Sequence, residues 1–338
     1  MFDSIVISNP SFIEPQLLTQ VSQRSGAFEL LPKGDLRTRL STEDKYVYIK
    51  TLQMRAANES GQAAANQLSS PTFVTKLIST ATYLVRARAQ YDHHDTAAAG
   101  MWDVPLPEAY RRATWQTFAQ NARDALLYGF SPSAGEGLLN TVGLTSVNLP
   151  ADSNGATTFR TYDNGQMALF MLQQMVATQI RLFQGAQGGN KIVVIGPQRI
   201  LSYMIKANVV QLVQFQRPGA GTAATGQMIQ EQFQSVGDRV TWAFDDTLIG
   251  KGAGGTDAVL IVIPELDDQE DWTGPNTNAF QGLTPSLNEC TLQYADMVAP
   301  REITTPVAGG VTDVLYERRI TSGWGVRPEA ITLINMAY

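Results

Sequence analysis

The sequence is poor in the residues that form disulfides and metal sites. Its 338 residues include one cysteine, Cys290, and two histidines, the adjacent His93 and His94. A single cysteine excludes an intrachain disulfide framework and a cysteine-rich zinc module. The sequence also lacks a nucleophile elbow and a zinc-protease helix motif. We therefore expect neither a cofactor nor an enzyme active site.

Basic residues and long apolar runs are scarce as well. The chain has 25 Lys and Arg against 31 Asp and Glu, a formal net charge of -6. This balance argues against tight, counterion-driven binding to exposed phosphate backbones. The start, MFDSIVISNPSF, carries an acid where a signal peptide has positive charge, and no run of about 18 apolar residues follows. We expect a protein that stays in the cytoplasm where it is made, without a membrane partner.

One unusually long strand is predicted towards the end of the first third of the chain. From Leu77 to Tyr91, apolar and polar side chains alternate with a period of two, broken by Leu84. At roughly 3.3 Å per residue this segment would extend about 50 Å. The β-prone segment Lys45 to Met54 precedes it across a small, polar stretch. Together they predict a hairpin that projects from the body and buries its apolar side on another molecule.

A long amphipathic helix is predicted after the strand, from about Glu108 to Tyr128, with its end at Gly129. Asp95 is predicted to cap a short helical turn before it. The apolar stripe of the long helix consists of Trp115, Phe118, Ala119, Ala122, Ala125 and Leu126. Its opposite face carries Arg112 and Arg123 among other polar residues. Such a helix is a candidate for the backbone of the subunit.

The second half of the chain has the pattern of an α/β domain. Helices are predicted over Gln166 to Phe183 and Gln198 to Phe215. Buried strands are predicted at KIVVIG from Lys191 and at AVLIVI from Ala258. Two further β segments follow, DVLYERRI and AITLINMAY. Three methionines stand four residues apart on the first helix and indicate core packing: Met167, Met171 and Met175.

A metal site is possible at two places, and each has a structural alternative that we favour. His93 and Asp95 are two residues apart and could share an ion on one side of a strand. The alternative is a polar turn in which the histidines form hydrogen bonds and Asp95 caps. The acidic run Asp267 to Asp271 could attract calcium, but it lacks the spacing of a calcium loop, which favours a solvated loop.

Two glycine-rich stretches are weak candidates for nucleotide binding. Gly219 to Ala224 meets a relaxed dinucleotide pattern, but it follows an apparent helix where that motif requires a strand. GKGAGGT from Gly250 has its Lys at the wrong end for a Walker loop. Both stretches are better interpreted as turns or flexible surface loops.

Four strings resemble a known family: YDHHDTAAAG, PEAYRRATWQTFAQNARDALLYGF, GEGLLN and YERRITSGWGVRPEAITLI. They are similar to the major capsid proteins of tailed bacteriophages with the Hong Kong 97 type fold, within an encapsulating-protein family of unassigned function. The resemblance is best from about Leu77 to Asn140 and from Asp257 to the end.

The resemblance implies an α+β fold in five segments. These are an N-terminal arm (1–44), an extended-loop β-hairpin (45–91), a peripheral domain (92–150) with a spine helix (108–128), an axial α/β domain (151–288) and a return to the β layer of the peripheral domain (289–338).

The resemblance also implies a function. The chain would be a structural protein that self-assembles into the hexamers and pentamers of an icosahedral head around double-stranded DNA. It would assemble in the cytoplasm of a host bacterium and end in the virion. Its partners would be copies of itself, and the resemblance also allows a separate scaffolding protein, a portal, and decoration or minor capsid proteins. The DNA would be packaged without sequence-specific binding.

Six residues are candidates for contacts between subunits. Arg86 and Arg88 lie on the polar side of the long strand, where they could meet acidic groups of a neighbour. The others are Tyr83, Arg112, Arg123 and Arg217. Two alternatives to a phage head are a nanocompartment shell of the same fold that carries cargo, and a cytosolic enzyme that uses a metal or nucleotide.

Overall fold

The computed structural model describes residues 25–31, 39–55, 72–100, 105–152, 155–183, 190–206, 208–209, 223–224, 229–230, 233–234, 238–265, 291–307 and 309–338. Several sequence predictions therefore lie outside the described residues. They are most of the N-terminal arm, the hairpin tip, Arg217, most of the loop 219–224, the acidic run 267–271 and Cys290.

The strands are β1 Tyr46–Arg55, β2 Thr72–Asp92, β3 Thr145–Asn148, β4 Lys191–Gly196, β5 Asn208–Val209, β6 Ala223–Ala224, β7 Arg239–Phe244, β8 Asp257–Val262, β9 Leu292–Gln293, β10 Arg301–Val307, β11 Val311–Thr321, β12 Trp324–Gly325 and β13 Ile331–Met336. The helices are α1 His93–Gly100, α2 Leu106–Leu127, α3 Asn164–Phe183 and α4 Gln198–Lys206.

The first sheet is antiparallel, with the strand order β1-β2-β11-β10. Strand β2 is 21 residues long, and it confirms both the predicted strand and the predicted hairpin with β1. The predicted alternation is also present: Arg86, Arg88 and Gln90 are exposed, whereas Ala89 between them is buried. The period of two follows from the pleat, which sends successive side chains to opposite faces.

Helix α1 begins where β2 ends, and its cap differs from the prediction. The carboxylate of Asp92 accepts a hydrogen bond from the N–H of Asp95 at 2.7 Å, and the Asp95 carboxylate accepts from the N–H of Asp92 at 3.3 Å. Asp92 is therefore the cap, and Asp95 lies in the first turn. The reason is that the last residue of a strand has the non-helical backbone that a cap needs. His93 and His94 open the helix and do not alternate on a strand.

Helix α2 spans the range predicted for the spine, beginning two residues earlier and ending one residue earlier. Phe118 packs with residues of β2 and β11, while Ala122, Ala125 and Leu126 pack under the second sheet. Trp115, predicted in the apolar stripe, is 51% exposed instead.

Ala119, also predicted in that stripe, is exposed as well. The buried line along the N-terminal half of α2 runs through Thr114 and Phe118, beside these two residues. The helix contacts the first sheet through this line of residues, which is narrower than the apolar stripe predicted from the sequence.

The second sheet has five strands in the order β3-β13-β8-β4-β7. Strands β4 and β8 match the two predicted buried strands, and every residue of β8 and β13 is buried. Helices α3 and α4 cover one face, and α2 with the turn 27–30 covers the other. Continuous apolar strands are expected when a sheet is covered on both faces. Met167, Met171 and Met175 lie in this core, as predicted.

The C-terminal segment divides between the two sheets. Strand β11 pairs with β2 in the first sheet, whereas β13 pairs with β8 and β3 in the second. The expected return of 289–338 to the β layer of the peripheral domain stays a prediction. The apolar run ITLINM of β13 buries all its side chains, and only an inner position in a covered sheet provides that burial.

The second predicted helix of the α/β region is shorter than expected. Helix α4 ends at Lys206, and Asn208–Val209 forms a short strand with Ala223–Ala224. The prediction to Phe215 was wrong at this point. The residues after Lys206 begin Ala-Asn-Val-Val, and β-branched valines favour extended structure over a helix.

We expect Met171→Ala to lower the free energy of unfolding by about 2–5 kcal/mol, because it leaves a cavity in the core. Met171 is fully buried. Leu169→Ala on the same helix is the matched control, since Leu169 is 57% exposed. It should change the free energy by no more than about 0.5 kcal/mol. Urea denaturation followed by circular dichroism measures both, and equal losses would contradict this placement of α3.

Candidate assembly surface

Strand β2 divides into two halves with different partners. Residues 82–92 pair with β11, and residues 72–81 pair with β1. The C-terminal half of β2, residues 82–92, is thus held in the body of the protein. The N-terminal half, residues 72–81, and β1 form a two-stranded ribbon of ten residues per strand, about 33 Å long at 3.3 Å per residue. An isolated two-stranded ribbon is marginally stable in water, so it gains from contact with another surface.

The described base of this ribbon has an exposed apolar face. Tyr46, Tyr48 and Leu77 are 57%, 58% and 55% exposed. They share one face because Tyr46 and Tyr48 are two residues apart, and Leu77 is paired with Lys50 in the cross-strand register. The two tyrosine rings lie 6.2 Å apart. We call these three residues the ribbon face. An aromatic and aliphatic face in this position is typical of protein interfaces.

The opposite face of the ribbon base is fixed to the subunit. Val47 and Ile49 are each 8% exposed. Val47 packs in a small cluster with Leu40 and Ala295. The guanidinium of Arg319 on β11 donates to the carbonyl of Asp44 at 2.8 Å, which ties the first residues of the hairpin to the first sheet. The base is therefore anchored on one face and open on the other.

Arg86 and Arg88, predicted to contact a neighbouring subunit, form ion pairs within the chain. Arg86 lies opposite Glu317 on β11 and donates to its carboxylate at 2.9 Å. Arg88 donates two parallel hydrogen bonds to Asp313, at 2.8 and 2.7 Å. The hydrogen bond from Arg88 lowers the pKa of the Asp313 carboxyl and raises that of Arg88. Both arginine side chains are 60% exposed, so their contact with a neighbour stays a prediction.

Tyr83 is held by a contact that the sequence analysis missed. Its hydroxyl donates to the carboxylate of Glu136 at 2.8 Å, and the centroid of its ring lies 4.4 Å from the ring centroid of Phe130. Desolvation by burial, followed by the hydrogen bond to Glu136, raises the pKa of Tyr83 to about 12. This contact joins β2 to the loop after α2 at the first residues of the half that pairs with β11.

Glu136 connects three parts of the chain through its carboxylate. Besides Tyr83, it accepts from the Ser322 hydroxyl at 2.7 Å and from the backbone N–H of Ser131 at 3.0 Å. We call this set the Glu136 junction. The only sign of this junction in the sequence was a glutamate between two glycines, in the string GEGLLN.

The glycines beside Glu136 allow two backbone segments to approach closely. Gly137 has φ of +89°, and a Cβ there would lie 2.3 Å from the carbonyl carbon of Tyr128. A Cβ on Gly129, with φ of +70°, would lie 2.5 Å from the carbonyl carbon of Glu136. A side chain at either position would push the loop away from the end of α2 and displace the Glu136 junction.

Two other predicted contact residues lie on α2. Arg112 approaches Glu108 at 3.8 Å, one turn earlier, and its side chain is 71% exposed. Arg123 donates to Asp124 at 2.9 Å, with a side chain only 14% exposed. Arg112 is therefore free to contact a neighbour, whereas Arg123 is largely covered by its own subunit. Their role between subunits stays a prediction.

Within the described ranges, the candidates for ion and nucleotide binding do not come together into a site. The rings of His93 and His94 are tilted by 40° to each other, with their centroids 3.9 Å apart, on the surface of α1. Among the described residues, no group of three or more His, Cys, Asp or Glu is placed to hold a metal. The stretch from Gly250 forms a tight turn before β8, in which Gly252 and Thr256 share a backbone hydrogen bond of 2.7 Å. In the part of the chain that is described, no helix is long and apolar enough to cross a membrane.

Several solved structures with a similar fold are phage and particle capsids. The capsid of Myoviridae phage XM1 has a TM-score of 0.67 at 12% identity and covers 99% of this chain and 100% of its own. The chain has the phage capsid fold. The capsid of a native GTA particle has a TM-score of 0.58 at 12% identity, with 100% of both chains covered. The capsid of cyanophage P-SCSP1u has the same TM-score at 10% identity, and the match covers 97% of this chain and 93% of the cyanophage chain.

The sequence matches no protein-family model and no curated protein. The predicted Hong Kong 97 type fold agrees with these capsid structures, while the narrower resemblance to an encapsulating-protein family stays a prediction. Every match above has a coverage of more than nine tenths of both chains. The fold likeness therefore extends over nearly the whole length of the chain.

We expect Glu136→Gln to lower the pKa of Tyr83 from about 12 towards the ordinary 10, because the carboxylate charge and part of the hydrogen bond are lost. A folded-state pKa above 10 stabilises the fold below pH 10, and this contribution is lost as the pH rises towards 12. Ultraviolet titration of tyrosinate measures the shift.

Tyr83→Phe is the matched control, because it removes this one titration and leaves Glu136 in place. Burial also raises the pKa of Tyr128 to about 12. Tyr128 should therefore titrate at high pH in both variants. A titration curve that is identical in the wild type and Glu136→Gln would contradict the contact.

Proposed function

We propose that this protein is the major capsid protein of a tailed phage, with a structural and not an enzymatic role. Many copies would form hexamers and pentamers and enclose double-stranded DNA in an icosahedral head. The observation that carries the proposal is the match of the whole chain to phage capsid structures. A GTA capsid with this fold was described with C5 symmetry, which supports rings of five subunits.

The ribbon supports the proposal because its two strands have no described strand partner there besides each other, so they are available to a neighbouring subunit. A thin shell has no thick interface between neighbours, so extensions that lie over the next subunit supply the buried area. Contacts that join different surfaces of identical subunits close into rings. The ribbon face would be one such surface, and the exposed guanidinium groups of Arg86, Arg88 and Arg112 would lie at polar rims.

The segments implied by the resemblance are part of this proposal. Residues 1–44 would form the arm, 45–91 the extended loop, 92–150 the peripheral domain and 151–288 the axial domain. The axial domain would share its sheet with β13. Assembly would take place in the host cytoplasm, with a separate scaffolding protein, a portal and decoration proteins as possible partners. The net charge of -6 fits a lining that does not hold DNA tightly during packaging.

Electron microscopy of the full-length protein, expressed alone and with its neighbouring phage genes, tests this proposal. We expect rings, tubes or closed shells, since the shell-forming contacts are carried by the chain itself. A strict monomer of 36.9 kDa under every salt and protein concentration, also in lysate of phage-infected cells, would contradict it. Shells that enclose a cargo protein and no DNA in infected cells would favour the nanocompartment.

The double variant Tyr48→Asp and Leu77→Asp should abolish assembly while the subunit keeps its fold. Each substitution places a charge on the ribbon face, and burying an unpaired charge in an interface is costly. Gln120→Asp on the exposed side of α2 is the single-charge control. Circular dichroism checks the fold and electron microscopy counts shells. Normal shells from the double variant would rule out the ribbon face as a contact.

A further inference from the structure

Helix α3 has two apolar faces, and only one of them packs in the core formed by the described residues. Met167, Met171 and Met175 point into the core against the second sheet. On the other side, Leu169 and Ile180 are 57% and 64% exposed. The exposed line consists of Leu169, Gln173, Val176 and Ile180, spaced by four, three and four residues. We call it the α3 stripe.

The spacing of the α3 stripe places its members on one side of the helix. Residues three and four apart are neighbours on a helical surface. The stripe runs over eleven residue steps, which correspond to about 16 Å at 1.5 Å per residue. A stripe with this spacing is the pattern by which a helix packs against another element.

The α3 stripe is also free of charge. From Asn164 to Ile180 the helix contains no Asp, Glu, Lys or Arg, and its first charged residue is Arg181. Helix α2 is different, because its solvent side carries Glu108, Arg111 and Arg112. The exposed side of α2 thus has the composition of a solvated face, whereas the exposed side of α3 has that of a face to be covered.

We propose that the α3 stripe is a contact between subunits and that a second copy of this chain covers it. This inference rests on the proposed capsid function and assigns a specific surface to it. Copies of a chain with net charge -6 repel one another, so they meet most readily where neither brings a charge. An uncharged stripe allows that contact without burying an unpaired ion.

The α3 stripe adds a surface separate from the ribbon face. Helix α3 covers the side of the second sheet that faces away from α2, while the ribbon is an extension of the first sheet. A stripe about 16 Å long on one helix buries too little area for a stable interface by itself, because such an interface requires roughly 800 Å² per partner. A neighbour that covers the stripe therefore has to hold the subunit through other surfaces too, as expected in a ring.

Thiol footprinting of assembled and dispersed subunits tests the proposal. Ile180→Cys is made in a Cys290→Ser background, so that each chain carries one thiol, and Leu169→Cys provides a second probe of the stripe. Ala113→Cys, at an exposed position of α2, is the control. Each protein is treated with a maleimide as shells and as dispersed subunits, with denatured chains as the fully reactive reference.

We expect the thiols at 169 and 180 to react at least tenfold more slowly in shells than in dispersed subunits. Equal rates in shells and subunits would overturn the inference and leave the capsid function standing, since the shells would exist. Slow reaction in dispersed subunits as well would also overturn it, because the cover would then come from the same chain. If the wild type forms no assemblies at all, the capsid proposal fails first.

A charge variant separates a subunit contact from the binding of another protein. Ile180→Lys should fold like the wild type and should assemble at least tenfold less at equal protein concentration, measured by light scattering. Gln120→Lys adds the same charge to α2 and should assemble normally. Full assembly of Ile180→Lys would overturn the inference, and so would assembly that is lost only when a scaffolding protein is present.

Discussion

The pairing of β2 with β11 is the interaction on which the rest of the structure depends. Eleven residue pairs hold one half of a 21-residue strand in the first sheet. The other half is then long enough to leave the body with β1 as its only described strand partner. A hairpin of two strands would not hold its direction alone, but this one continues a strand of a four-stranded sheet. Reach and rigidity thus come from the same strand.

Side-chain contacts of charged residues reinforce the attachment of β2 to the body of the protein. Arg86 and Arg88 cross from β2 to acids on β11, and exposed pairs of this kind contribute little to stability because water and salt screen them. The Glu136 junction is different in kind, because one carboxylate joins β2, the loop after α2 and the end of β11. Glycines at 129 and 137 let these segments come within reach of that carboxylate. The string GEGLLN therefore encodes a connection between the hairpin and the spine helix.

The distribution of apolar surface links the subunit to the proposed shell. The second sheet is covered on both faces, and its core takes the inner side of α3. Among the described residues, the ribbon face and the α3 stripe are apolar surfaces left outside it. They belong to different sheets and different layers of the subunit, so they can serve different neighbours. Because the net charge of -6 keeps free subunits apart, the uncharged α3 stripe is a less costly place for them to meet than a charged face.

The sequence by itself determined the local elements, because their periods depend only on neighbouring residues. The period of two predicted β2, the methionine spacing predicted the core side of α3, and the apolar runs predicted β4 and β8. Only the tertiary structure decided that β13 joins the second sheet, that Trp115 is exposed and that Tyr83 contacts Glu136. Those outcomes depend on residues far apart in the chain, such as the 231 positions between Arg86 and Glu317. A local pattern shows which side chains need burial or a partner, and only the folded chain supplies them.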